Sequence, residues 1–130
     1  MIAAEPAPLV LGPRWRARRT PCAIGFIRAD LSPVRFLDEI EIVRLAADLG
    51  YTLVRTVAFA PGAGPPLARL HHVVHNIARL ERVVVSVVLT PSLAHLDGDP
   101  TQALSWCDEV ACADDGATYT AAAPQRSRRS

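Results

Sequence analysis

The sequence predicts an α/β fold of three layers, a mostly parallel four-stranded sheet with helices on both faces, and three observations predict it. First, Val83-Val84-Val85-Ser86-Val87-Val88-Leu89 is uncharged and almost wholly β-branched. A run that short and apolar on both alternating faces is a strand covered on both sides, so it is placed at the sheet centre. Second, segments of strand character alternate with segments of helical period, which calls for parallel strands and right-handed crossovers. Third, 130 residues that are 50% hydrophobic and 21% charged suffice for one buried core with tails.

Residues 1–21 are rich in proline and arginine, lack periodicity and are expected to form a flexible arm. The domain proper is assigned to residues 22–123 and a basic tail to 124–130. Ala23-Ile24-Gly25-Phe26-Ile27 reads as the first strand, with Arg28-Ala29-Asp30 at its carboxyl end. Ser32-Pro33 supplies a cap and a first-turn proline for a helix running to about Leu49, where Gly50 is the expected left-handed stop. That helix carries two apolar stripes: Phe36, Ile40, Val43 and Ala47 on one side, and Ile42, Leu45 and Leu49 well round from them. One must face the sheet. The other is assigned to a neighbouring element in preference to a second subunit, with a homodimer kept as the alternative.

Residues 51–59 form the second strand, and the loop Pro61-Gly62-Ala63-Gly64-Pro65-Pro66 leads into a helix from about Pro65 to Leu80. Its core stripe is Leu67, Leu70, Val74 and Ile77. The central strand, residues 83–89, follows. Asp99-Pro100-Thr101-Gln102 has the form of a capping box, opening a helix to about Ala113 with Leu104, Cys107 and Val110 turned inward. Residues 117–122 make a short last strand.

Charge is unevenly spread. All 14 basic residues are arginine. Residues 1–20 and 124–130 hold Arg14, Arg16, Arg18, Arg19, Arg126, Arg128 and Arg129 against only Glu5, whereas the body is acidic. Any attraction to polyanions therefore belongs to the tails. Trp15 among the first four arginines gives the composition of a nucleic-acid arm, in which guanidinium groups meet phosphates and an indole stacks on a base; a solvated tail is the plainer reading. Cys22, Cys107 and Cys112 make no CxxC pair and are odd in number, which favours reduced thiols in a cytoplasmic protein over a zinc ribbon or disulfide framework. No apolar run reaches the roughly 20 residues that span a bilayer, and no secretory signal is read at the amino terminus.

At Gly25-Phe26-Ile27-Arg28-Ala29-Asp30 the chain resembles the amino-terminal catalytic domain of serine recombinases, the resolvase and invertase family. That family opens with a strand reading Gly-Tyr-x-Arg-Val-Ser and a helix ending much like Leu45-Ala46-Ala47-Asp48-Leu49-Gly50-Tyr51. The similarity covers about residues 23–122. It implies a resolvase-like sheet of flavodoxin-like topology, a serine nucleophile that attacks a DNA phosphodiester, and arginines that stabilise the transition state. Arg28 matches the family's first arginine, but Asp30 occupies the nucleophile position. Ser32 is the nearest hydroxyl, in a cap-like context. The family's Asp-Arg-Leu-x-Arg motif falls on Pro91-Ser92-Leu93-Ala94-His95, where only Leu93 survives.

Three weaker signals have plainer readings. His71 and His75 lie one helical turn apart, a spacing that can hold zinc, but no third ligand is nameable and histidines flanking the core stripe are preferred. Gly62-Ala63-Gly64 occupies a phosphate-loop position, but its flanking prolines remove backbone donors and no lysine is present. Asp30, Asp97 and Asp99 could share a sheet edge as a magnesium site, although Asp99 reads better as a helix cap. No metal, cofactor or membrane partner is therefore assigned. The expectation is a catalytically degenerate, resolvase-like domain, a non-enzymatic interaction or weak DNA-associating module. The alternative is an active recombinase or other phosphoryl-transfer enzyme using Arg28 with Ser32 or Asp30, and a third reading is a decayed mobile-element remnant.

Overall fold

The computed structural model describes residues 20–60, 62, 64–120 and the backbone of 127–128. Strand β1 (Cys22–Arg28) pairs in parallel with β2 (Thr52–Phe59) on one side and β3 (Val87–Thr90) on the other. Beyond β3 lie parallel β4 (Glu109–Cys112), antiparallel β5 (Ala117–Thr120) and the two-residue antiparallel edge β6 (Ser127–Arg128). The order is β2-β1-β3-β4-β5-β6. The α/β class and the mostly parallel sheet agree with the sequence; the strand count of four does not.

Period-two alternation divides the interior. Ala23, Ile27, Val87, Leu89 and Ala111 point to one face, where helix α1 (Arg35–Leu49) covers them with Ile42, Leu45, Ala46 and Leu49. Ile24, Phe26, Val88 and Val110 point to the other, beneath Leu70, Val74 and Ile77 of helix α2 (Pro66–Asn76) and its π-helical continuation Ile77–Glu81. Helix α3 (Thr101–Leu104) adds Ala103 and Leu104 to this second side. The helical stripe assigned to α2 is thus the one that packs. Among the described residues no helix is long and apolar enough to cross a membrane.

The local signals held where caps were strong. Gly50 stands in the left-handed region at φ 76°, and the Tyr51 amide donates to the Ala46 carbonyl at 2.8 Å, closing α1. Ser32, however, is not the cap: α1 begins at Arg35 without a side-chain cap, and the Ser32 hydroxyl instead meets Asp38. The central strand starts four residues late. Val83 to Ser86 run up to the sheet with Val84 exposed, and pairing begins only when the Ser86 amide reaches the Cys22 carbonyl at 3.0 Å.

The predicted helix to Ala113 is corrected most. The Asp99 carboxylate accepts from the Thr101 amide at 2.9 Å, but the cap position is Pro100, no side-chain cap bond forms, and the helix lasts one turn. The Asp108 and Glu109 amides then donate to the Ser86 carbonyl at 2.8 and 3.2 Å, which draws the chain onto the free edge of β3 as β4. A ladder with an already ordered strand outweighs a marginal helical preference. The last strand ends at Thr120 within the described residues; residues 121 and 122 lie outside them.

No disulfide joins Cys22, Cys107 and Cys112. Cys107 and Cys112 are buried, and desolvation pushes the Cys107 thiol up to about 12, so almost no thiolate forms there near neutrality. Iodoacetamide at pH 8 is expected to modify half-buried Cys22 first and to reach Cys107 and Cys112 only in denaturant. Peptide mass mapping checks the order, and early alkylation of Cys107 would contradict it.

Candidate functional site

In an open sheet of order 2-1-3-4-5, successive crossovers leave β1 in opposite directions, and the crevice beyond the carboxyl ends of β1 and β3 is where ligands bind. Arg28 is the last residue of β1. From the end of β3 the chain turns through Pro91 and Ser92 into a 3₁₀ turn, Leu93–Leu96, and Asp97 follows in the left-handed region at φ 57°. Aspartate tolerates that conformation better than most residues, and the turn brings its carboxylate back over β1.

The Arg28 guanidinium is held on two edges. Nε and Nη2 donate to the two Asp30 oxygens at 3.3 and 2.9 Å, and Nη1 donates to Asp97 Oδ1 at 2.7 Å. The bidentate contact holds the Asp30 carboxyl below the usual carboxylate range. Two of the three aspartates considered for magnesium, Asp30 and Asp97, thus surround an arginine instead, while Asp99 accepts from the Thr101 amide at the start of α3.

Beneath the guanidinium lies His95, 4% exposed, whose Nδ1 accepts from the Arg28 backbone amide at 2.9 Å. That bond places the ring proton of the neutral form on Nε2, and burial lowers the imidazole pKa. The buried Thr90 hydroxyl donates to the Phe26 carbonyl at 3.0 Å, tying the end of β3 to β1. Ser32, also buried, donates through Oγ to Asp38 Oδ2 at 2.5 Å and makes no bond to Arg28 among the described residues. His95 feels Asp38, Asp30 and Asp114 as negative neighbours and Arg28 as the positive one, so carboxylates outnumber cations at this tip.

The described arginines near the other helices have separate occupations. Arg35 pairs with Glu39 at 3.6 Å and Arg55 with Glu81 at 2.8 Å. Arg69 lies 4.3 Å over the Phe59 ring and donates to the Ala60 carbonyl. Among the described residues the crevice offers an incoming anion a single guanidinium, already paired with two carboxylates.

Of the two catalytic candidates, Arg28 is in this crevice and Ser32 stands beside it, bonded elsewhere. His71 stacks on Trp106 with ring centroids 4.8 Å apart and planes 2° apart, and no group of three metal-binding side chains occurs among the described residues. Gly62 and Gly64 both take positive φ, as a turn requires; Pro61 and Ala63 lie outside the described residues. Arg14, Trp15, Arg16, Arg18, Arg19, Arg126 and Arg129 also lie outside them, as does the side chain of Arg128. Sequence reasoning missed the roles of His95, Asp97 and Asp38. A histidine five residues beyond the central strand was the one available signal for the first of them.

The His95 environment has a measurable consequence. A base whose folded pKa is depressed favours folding above its unfolded value, near 6.5, and that contribution is lost as pH falls through 6.5 toward the folded value. Urea midpoints of the wild type and of His95→Gln, which keeps an acceptor, are expected to converge between pH 7.5 and 5. A constant difference would mean that the imidazole is not held neutral. Asp30 acts in a separate window: its stabilisation is present above the unfolded carboxylate pKa and fades in stronger acid.

Comparison with protein-family models, with curated proteins and with solved structures finds no match.

Proposed function

We propose that this chain is a resolvase-like domain that keeps the α/β scaffold without phosphoryl transfer, and works as a non-enzymatic interaction module that associates weakly with DNA through its arginine-rich ends. The observation that carries the reading is the clamping of Arg28 between Asp30 and Asp97. A phosphodiester entering the crevice would have to displace two carboxylates from the guanidinium and would meet the negative charge they leave behind. The position that a nucleophilic serine holds in the resembled family is one of those carboxylates. The hydroxyl nearest to that position in the sequence, Ser32, is committed to Asp38.

The test is covalent capture. The full chain is incubated with intact and nicked duplex DNA, quenched in detergent and separated by electrophoresis. No protein–DNA adduct is expected, and Arg28→Ala should leave DNA association unchanged. An adduct that disappears in Ser32→Ala or Arg28→Ala would establish the active phosphoryl-transfer reading instead.

DNA association itself is expected to be electrostatic. If the seven terminal arginines each neutralise one phosphate, log K falls with log salt at a slope of about −6 for duplex DNA. Replacing Arg14, Arg16, Arg18, Arg19, Arg126, Arg128 and Arg129 by glutamine should abolish both the binding and the slope, as fluorescence anisotropy at several salt concentrations would show. Undiminished binding by that variant would move the interface to the acidic body.

A further inference from the structure

We infer that the outer face of α1 is a homodimer interface, in which the helices of two copies lie side by side and parallel about a two-fold axis running along them. The sheet takes Ile42, Leu45, Ala46 and Leu49, and the opposite stripe is left uncovered within the described residues: Phe36 is 69% exposed and Val43 54%. Phe36, Ile40, Val43 and Ala47 recur at intervals of four, three and four, the spacing of a seam between two helices. Leu31, Val34 and Leu37, all exposed, widen the patch at its amino end. Single exposed apolar residues are ordinary, but a contiguous stripe of this kind marks an interaction site.

Charge selects the occupant and its direction. Glu39 and Arg44 flank Ile40 and Val43 on opposite sides of the stripe, and these four positions of α1 line one shallow apolar hollow with Phe36. Arg44 has no ion-pair partner among the described residues, and Glu39 has only a loose contact with Arg35 at 3.6 Å. When two copies pack with parallel helices, opposite flanks meet, so Glu39 of each faces Arg44 of the other, twice by symmetry. Antiparallel packing would set like flanks together, Glu39 against Glu39 and Arg44 against Arg44. The surface is therefore self-complementary in one orientation only. Side-chain size agrees: Ala47 allows close approach at the carboxyl end, and the helices diverge toward the bulky Phe36.

This arrangement stacks sheet, helix, helix and sheet, with the two crevices at the same end of the assembly. It is independent of whether the domain touches DNA.

Sedimentation equilibrium of the full chain over a range of concentrations tests it. The wild type is expected to dimerise, Phe36→Ser to raise the dissociation constant by at least tenfold, and Glu39→Arg and Arg44→Glu each to do the same by placing like charges across the seam. The double variant Glu39→Arg/Arg44→Glu should restore dimerisation, which only the parallel pairing provides. A monomeric wild type at about 100 μM would overturn the proposal, including the case in which hydrogen exchange shows the Phe36 face protected in that monomer by residues 1–19. A dimer indifferent to Phe36→Ser, or one not rescued by the double variant, would overturn it equally.

Discussion

Phe26→Ala is expected to cost about 3–5 kcal/mol, most of the stability of a domain whose total is on the order of 5–15 kcal/mol. Phe26 is fully buried on β1, its ring 6.1 Å from that of Phe59, and it belongs to the cluster that joins the sheet to α2. Neighbours anchored by two parallel ladders cannot collapse into the vacated space, so the lost transfer energy and the cavity add. Urea denaturation read by far-ultraviolet circular dichroism measures the loss, and a change below about 1.5 kcal/mol would mean that the layer repacks freely. Phe36→Ala makes the internal control. It removes the same ring from an exposed position, and at submicromolar protein it should shift stability by less than about 0.5 kcal/mol.

Gly25 gives the second large effect, of opposite origin. A Cβ built there would stand 2.6 Å from Thr56 Oγ1, 2.9 Å from Ile42 Cγ2 and 3.0 Å from Thr56 Cγ2. The position faces α1 from the middle of β1, so the absence of a side chain is what lets the helix and the neighbouring strand close on it. Gly25→Ala should destabilise by about 1–3 kcal/mol and Gly25→Val by more, because its branches have nowhere to go. Combining Gly25→Ala with Thr56→Ala removes the contacts at 2.6 and 3.0 Å and leaves the one with Ile42, and the double variant should be more stable than the two separate losses predict. Strict additivity would show that contact with Thr56 is not the cause.

These two sites illustrate what was legible. Residues 22–80 announced their elements within a few positions, because each carried a local instruction: an apolar strand with glycine at its centre, Gly50 as a helix stop, prolines before α2. The β4 segment carried none. Its four residues are too few to display a period of two, and Leu104, Cys107 and Val110 mimic a helical stripe although they point inward for different reasons, the first from a single helical turn and the last from a strand. What fixes β4 is a hydrogen-bonding edge offered by β3, a tertiary fact. The crevice was legible only in outline. The carboxyl end of the central strand was the right place to look, and Arg28 the right residue, but its partner Asp97 lies 69 positions away and reaches it through a turn that no local pattern declares. His95 read as a substitution for a missing arginine, whereas it is the buried acceptor of the Arg28 amide.

The placement of β1 between β2 and β3 also governs how the chain acquires its shape during synthesis. Of these three strands β1 is made first, and it is flanked on both sides by strands made later. At roughly 5–20 residues per second, translation from Arg28 to Thr90 takes on the order of 3–12 s. Throughout that interval β1, whose middle is buried in the finished sheet, has its backbone donors and acceptors at most half engaged, so nascent chains should be held by chaperones until β3 arrives.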